Sequence, residues 1–346
     1  MRIEFPEILP IMAPEITVLD MHTAGEPVRI FDARAFNLGD GNVLSKRRRF
    51  ADNHDALRRT IMHEPRGHSE MYGAILVKPA LPDSDAAVLF CHNGGYSTMC
   101  GHASIALGRL LHDSSKKAGF ERTEFKLECP CGPVDVSVSC QGRYGFDAVP
   151  SFCEGMDLQC DLPGFGPIRF DVGYGGAFYA VVEDREAGLS LEHSPVREIW
   201  EFARALTSQL RATREFVHPA EQDLGFLYGT IVTDGVHPQP GGTTRNLCWF
   251  GDGQIDRSPT GSGVSARLAI AVSRGLISAG DTCSFIGPAG HGFQGSVKCV
   301  TENGVMTHVE GMAYYTGLNR LLVEPTDPLA KGFVLSDRLP PAVVDL

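Results

Sequence analysis

Between residues 134 and 139 three valines, Val134, Val136 and Val138, alternate with Asp135, Ser137 and Ser139. A period of two sets one face of a strand against a core and the other toward water. Short apolar runs at 73–77, 86–90, 177–182, 230–233 and 296–300 predict five more strands. Residues 150–167 mix Pro, Gly and Cys with little periodicity, and a domain boundary is expected there.

Two kinds of helix are predicted, and each occurs twice. The first is amphipathic. With Ser194 as N-cap and Pro195 in the first helical position, Val196, Ile199, Trp200, Ala203, Leu206 and Leu210 fall on one face. A shorter counterpart begins after Asn53, carries Leu57 and Ile61 on its apolar face, and is ended by Pro65. The second kind is apolar on nearly all sides and follows a glycine-bearing turn. It is expected over 101–112 and again over 261–274, where Gly275 closes it. A helix without a polar face belongs inside a core. Each half therefore reads as strands, an amphipathic helix, more strands, a glycine turn and a buried helix. Two similar α/β domains follow, each wrapping a sheet around its own central helix, over 1–150 and from 151 onward.

Composition narrows the function. The 346 residues hold 31 Lys+Arg against 42 Asp+Glu, a formal charge of −11. That sign disfavours nucleic acid and anionic membranes as partners. The one basic cluster, Lys46-Arg47-Arg48-Arg49, reads as a solvated loop face. No run reaches the roughly 18 apolar residues of a membrane span, and Glu4, Pro6, Glu7 and Pro10 interrupt any signal-peptide core. A cytoplasmic protein is expected. The 10 cysteines are irregularly spaced and read as free thiols. Cys129-Pro130-Cys131 is not a C-x-x-C pair, so neither a structural metal nor a redox motif is expected.

The candidate chemistry sits at the entrances to the two buried helices. One reads Ser97-Thr98-Met99-Cys100-Gly101-His102-Ala103, and the other Asp256-Arg257-Ser258-Pro259-Thr260-Gly261-Ser262-Gly263. The first N–H groups of a helix lack intrahelical partners and carry partial positive charge, so they bind carboxylates or phosphates. A thiol held there is acidified below its free value of about 8.5. Two such ends facing each other would grip one small carboxylate, with Cys100 placed to remove a carbon-bound proton. Taken alone, a Cys before a helical Gly packs as a small hydrophobe more often than it reacts, and Ser-Pro-Thr-Gly-Ser-Gly serves equally well as a turn and cap. His102 and Asp256, polar groups beside otherwise apolar helices, tip the balance toward function.

At these residues the sequence resembles the proline racemase family, and within it the trans-3-hydroxy-L-proline dehydratase branch. The resemblance also rests on Met21-His22-Thr23-Ala24-Gly25-Glu26-Pro27, Glu64-Pro65-Arg66-Gly67-His68 and Met71-Tyr72-Gly73, in family order along most of the chain. It implies two domains of the diaminopimelate-epimerase type, each a mostly antiparallel sheet around a central helix. The first, over 1–150, carries Cys100 and is completed by 318–346, and the second, over 151–317, carries Asp256 and Thr260. It also implies a homodimer and no cofactor. Family racemases use one cysteine on each face of the α-carbon. Cys100 matches the first, while the second position is Thr260 here. A Thr hydroxyl is a far weaker acid than a thiol and does not readily trade protons in turn.

The resemblance therefore implies elimination in place of inversion. Gly101, His102, Gly261 and Ser262 would hold the substrate carboxylate through their N–H groups, and Asp256 would meet the ring ammonium with help from His102. Cys100 would take the Cα proton, and Thr260 would position the leaving hydroxyl or a water. His22 and Glu26 divide evenly between a role in the reaction and support of the pocket. Three rival readings remain: a proline or 4-hydroxyproline racemase or epimerase, a non-catalytic small-carboxylate binding protein, and a thiol redox or metal protein.

Overall fold

A computed structural model describes residues 13–335. The chain opens with the hairpin β1 (Glu15–Thr23) and β2 (Glu26–Asp32), then runs through α1 (Val43–Met62), β3 (Tyr72–Val77), β4 (Ala86–His92) and β5 (Gly95–Ser97). Helix α2 (Gly101–Lys117) follows, and after it β6 (Glu124–Cys129), β7 (Gly132–Val138) and β8 (Tyr144–Asp147). The same order then repeats. Strands β9 (Phe152–Leu162), β10 (Gly166–Tyr174) and β11 (Phe178–Glu183) lead to α3 (Val196–Thr213), β12 (Leu227–Thr233), β13 (Thr243–Phe250) and β14 (Gln254–Asp256). Helix α4 (Gly261–Ser273) is followed by β15 (Thr282–Ile286), β16 (Gly292–Thr301), β17 (Gly304–Gly311) and β18 (Ala313–Leu322).

Pairing makes the repeat physical. Strands β2 and β3 are parallel across α1, and β11 and β12 are parallel across α3. Likewise β4 and β6 are parallel across α2, and β13 and β15 across α4. Parallel neighbours need a crossover, and in all four cases a helix supplies it. The other pairings are antiparallel, and β8 against β17 joins the two halves into one sheet. The last strand, β18, returns to pair with β1 over Glu15↔Leu322 to Thr23↔Ala313.

The core follows the layers. Helices α2 and α4 are enclosed by strands and share one apolar cluster that includes Ile105, Leu107, Phe146, Val264 and Leu268. Helix α3 packs Ile199, Phe202, Ala203, Leu206 and Leu210 on the second half of the sheet, and α1 packs Phe50, Ile61 and Met62 on the first. All ten cysteines are free.

Three local expectations need correction. Helix α1 starts far earlier than Asn53: Asn42 caps it, its Oδ1 accepting from the Ser45 N–H at 2.9 Å. The basic run therefore lies on a helix and is tied down. Lys46 donates to the Lys78 carbonyl at 2.6 Å, Arg48 pairs with Asp223, and Arg49 donates to the Leu38 carbonyl at 2.6 Å. In α3, Pro195 takes the cap position without a side-chain bond, and Val196 points outward at 55% exposure. Residues 150–167, read as weakly periodic, are largely the regular eleven-residue strand β9.

Candidate active site

The two buried helices start against each other. A β-carbon built on Gly101 would lie 2.5 Å from the Gly261 Cα, and one built on Gly261 would lie 2.8 Å from the Gly101 Cα. Only hydrogen at both positions lets the ends approach so closely. Around this contact lies a narrow cleft of about 20 Å³, lined by Cys100, His102, Asp256, Thr260 and Ser262 together with Tyr72, Tyr179, Tyr228 and Phe250. The sequence-predicted residues are thus brought to one place. The aromatic wall was not foreseen: Tyr72 lies in a quoted motif but without a role, and Tyr179, Tyr228 and Phe250 sit in ordinary strand runs.

Cys100 caps α2 in extended conformation, and its Sγ accepts from the Ala103 N–H at 3.4 Å. The His102 ring turns back, with Nδ1 3.2 Å from the sulfur. The ring also meets the Pro27 carbonyl, and burial holds the imidazole neutral by pushing its pKa down to about 3. One ring nitrogen donates to that carbonyl, which leaves the other to accept from the Cys100 thiol. The acidified thiol expected from the helix N-terminus is not what the closed site gives. Burial pushes Cys100 well above its usual range, the Ala103 N–H and Tyr72 hydroxyl pull it down, and Asp256 and Glu26 push it up again. Desolvation in a nearly sealed cleft outweighs a helix-end effect of at most about 2 kcal/mol.

On the opposite side, Thr260 precedes α4 with φ +65°, an outlier for a β-branched residue. Its hydroxyl donates to Asp256 Oδ2 at 2.9 Å, and Asp256 Oδ1 accepts from the Ser258 N–H at 2.7 Å. Burial raises Asp256 to about 6 despite these bonds. Ser262 is paired with Tyr179, Oγ to Oη, at 2.7 Å. The N–H groups of Gly101, His102, Gly261 and Ser262 have no hydrogen-bond acceptor among the described residues. Among the described residues no Lys or Arg lines the cleft. An anion bound there is held by backbone dipoles alone.

Glu26 and His22 separate. Glu26 is fully buried, its Oε2 accepts from the Arg257 N–H at 2.7 Å, and it links the first hairpin to the loop carrying Asp256. Burial, with Asp256 adding to it, keeps its carboxyl protonated far above the usual range. His22 instead accepts from the Gly25 N–H at 3.3 Å and stacks on Tyr314, away from the cleft lining.

Two α/β halves, each closing a sheet on a helix whose N-terminus faces the other's, define the epimerase-like fold. At the level of fold alone, a phenazine biosynthesis protein of the PhzF family from Bacillus anthracis superposes with a TM-score of 0.54 at 12% identity, covering 90% of this chain and 100% of that one. The model of the Proline racemase family matches residues 18–334, and the chain belongs to that family. A hydroxyproline epimerase from Agrobacterium vitis, solved with bound trans-4-hydroxy-L-proline, superposes with a TM-score of 0.84 at 26% identity over 93% of this chain and 95% of its own. Sequence relatives are nearer. Trans-L-3-hydroxyproline dehydratase of Mus musculus is 43% identical and trans-3-hydroxy-L-proline dehydratase of Homo sapiens 42%, each over 93% of this chain and 95% of theirs. The Burkholderia ambifaria protein named trans-3-hydroxy-L-proline dehydratase is 35% identical over 92% of this chain and 98% of its own.

Proposed function

We propose that this protein is a hydro-lyase that removes water from trans-3-hydroxy-L-proline. The observation that carries the reading is the asymmetric pair across one cleft: Cys100 at the start of α2 and Thr260 at the start of α4. Relatives at 41–43% identity bearing the dehydratase name support it.

The substrate carboxylate sits on the N–H groups of Gly101, His102, Gly261 and Ser262, and the ring ammonium faces Asp256. Bringing that cation into the cleft offsets the Asp256 charge, which adds to burial in opposing ionisation of Cys100. The thiolate then takes the Cα proton, the electron pair forms the Cα–C3 double bond, and the C3–O bond breaks with loss of water. The enamine tautomerises to Δ1-pyrroline-2-carboxylate. Thr260 is a poor second acid, because its hydroxyl is neutral and its proton is engaged in the hydrogen bond to Asp256. Part of the same proposal is the division into two epimerase-like halves near residue 150, with the C-terminal strand returned to the first, which the pairing of β18 with β1 supports.

The experiment is to incubate the protein with trans-3-hydroxy-L-proline and follow the ring imine. Cys100→Ser is expected to lose more than about 100-fold in turnover. Thr260→Cys is expected to slow dehydration and to gain exchange of the α-proton with solvent. Undiminished turnover in Cys100→Ser removes Cys100 as the base.

A further inference from the structure

Three tyrosines line the cleft, and two of their hydroxyls are committed: Tyr72 Oη pairs with Ser97 Oγ at 2.5 Å, and Tyr179 Oη with Ser262 Oγ at 2.7 Å. The third is not. Tyr228 Oη is buried and has no hydrogen-bond partner in good geometry among the described residues, although the Ser97 and Tyr72 hydroxyls stand close by and its ring is fixed by stacking on Phe250 at 5.5 Å and by the edge of Tyr179 at 5.9 Å. A buried hydroxyl without a well-placed partner is unfavourable, which marks Tyr228 as a group whose role lies in the chemistry of the cleft.

Its surroundings supply the reason. The groups bearing on Tyr228 are the Cys100 and Cys248 thiols and the Ser97 and Tyr72 hydroxyls, and Tyr72 itself reaches toward Cys100. A contiguous set of hydroxyls thus runs from Cys100 through Tyr72 and Ser97 to Tyr228. Of the other polar groups, His102 stays against the Cys100 sulfur with Nδ1 at 3.2 Å, while Tyr179 with Ser262 and Thr260 with Asp256 form two bonded pairs at the α4 side.

Substrate stereochemistry selects between the two sides. In trans-3-hydroxy-L-proline the hydroxyl lies across the ring from the carboxylate, hence on the same face as the Cα hydrogen. The group that protonates the departing oxygen must then stand on the side from which Cys100 removes hydrogen. Thr260 stands on the other.

Resting on the dehydratase reading, we infer that Tyr228 is the acid that protonates the departing 3-hydroxyl, resupplied through Ser97 and Tyr72 with the proton that Cys100 removes. The balance closes within the site. The Cα–H bond breaks and an S–H bond forms, and the electron pair becomes the Cα–C3 double bond. The C3–O bond breaks as Tyr228 gives its proton to the oxygen. The Cys100 proton then passes along Tyr72 and Ser97 to restore Tyr228 and the thiolate. One water leaves, and no external acid is consumed.

The test is Tyr228→Phe in deuterated water, with both ring imine and deuterium in the recovered substrate measured. The expected result is a loss of about 100-fold or more in imine formation, with deuterium appearing at Cα of unconverted trans-3-hydroxy-L-proline. Proton removal is then intact while oxygen departure is blocked, a split that a purely structural defect does not produce. Tyr72→Phe, which cuts the relay at another point, is expected to show the same split and decides the matter if the first variant does not fold. Imine formation in Tyr228→Phe at the wild-type rate overturns the inference, because Cys100 itself then returns the proton. Parallel loss of both signals in a folded variant also overturns it. Wild-type protein that yields no imine overturns the dehydratase reading, and this inference with it.

Discussion

Gly101→Ala tests the meeting of the two helices most directly. The backbone at Gly101 is ordinary helix, so space alone forbids a side chain. The added carbon would stand 2.5 Å from the Gly261 Cα, 3.0 Å from the Gly261 carbonyl carbon and 3.0 Å from Phe146 Cζ. Carbon pairs are comfortable at roughly 3.5–4.0 Å, so the helix starts must part by about 1 Å. Two of the three contacts are backbone and cannot rotate away. Overpacking of this kind costs about 1–3 kcal/mol, and a shift of about 1 Å among groups that position a substrate costs about 100-fold in rate. Urea denaturation should therefore lose about 2 kcal/mol, and kcat/KM for dehydration should fall by about 100-fold. Gly261→Ala, which meets the Gly101 Cα at 2.8 Å and Phe146 at 3.2 Å, should behave similarly but more mildly. The double variant is the sharper measurement. Once the ends have parted, the second methyl enters a gap already opened, so the combined loss should fall short of the sum by at least about 0.5 kcal/mol. Additive losses, or a Gly101→Ala protein within twofold of wild-type activity, would refute the close approach.

Two further outcomes follow from the same cleft. Asp256, raised to about 6 by burial, must be ionised to receive an ammonium, so kcat/KM should rise with pH through about 6 and this limb should vanish in Asp256→Asn. The sign for stability is opposite: between the ordinary carboxylate value of about 3.9 and about 6 the folded state binds the extra proton, so this group's contribution falls as pH rises through that window. Thr260→Gly should raise stability by about 1 kcal/mol in urea denaturation by relieving a β-branched residue at φ +65°, while lowering dehydration.

The sequence made the buried helices legible because nothing else has that pattern: α2 and α4 lack a polar face and follow glycine turns. It misplaced α1 because Lys46, Arg47, Arg48 and Arg49 look like solvent, whereas Lys46 buries its stem and its ammonium reaches a carbonyl. Strand β9 was hidden for a related reason: only Leu162 of its eleven residues is buried, and Asp157 interrupts it at φ +54°. Cys100, His102, Asp256 and Thr260 stood out as polar groups beside apolar helices. Tyr228 and Tyr179 did not, because an aromatic in a strand run packs a core by default. Their place in the cleft depends on two strands of the second half meeting a helix end of the first.

Nor could local sequence give the protonation of the site, which is set by burial and by neighbours distant along the chain. His102 is held neutral, and Cys100 and Glu26 both cling to their protons. Asp256, at about 6, is the group that carries charge near neutrality, and among the described residues no lysine or arginine lines the cleft to answer it. A simple carboxylate would meet that anion, and a simple amine would leave the helix N–H groups unfilled. A zwitterion satisfies both at once, its cation on Asp256 and its anion on uncharged dipoles. The same cation offsets the Asp256 charge, which adds to burial in holding the thiol protonated, so ionisation of Cys100 is favoured when the proper substrate fills the site. Selectivity for an α-imino acid and activation of Cys100 are on this account one electrostatic event. It depends on a site that contains buried acids, a neutral His102 and, among the described residues, no lysine or arginine.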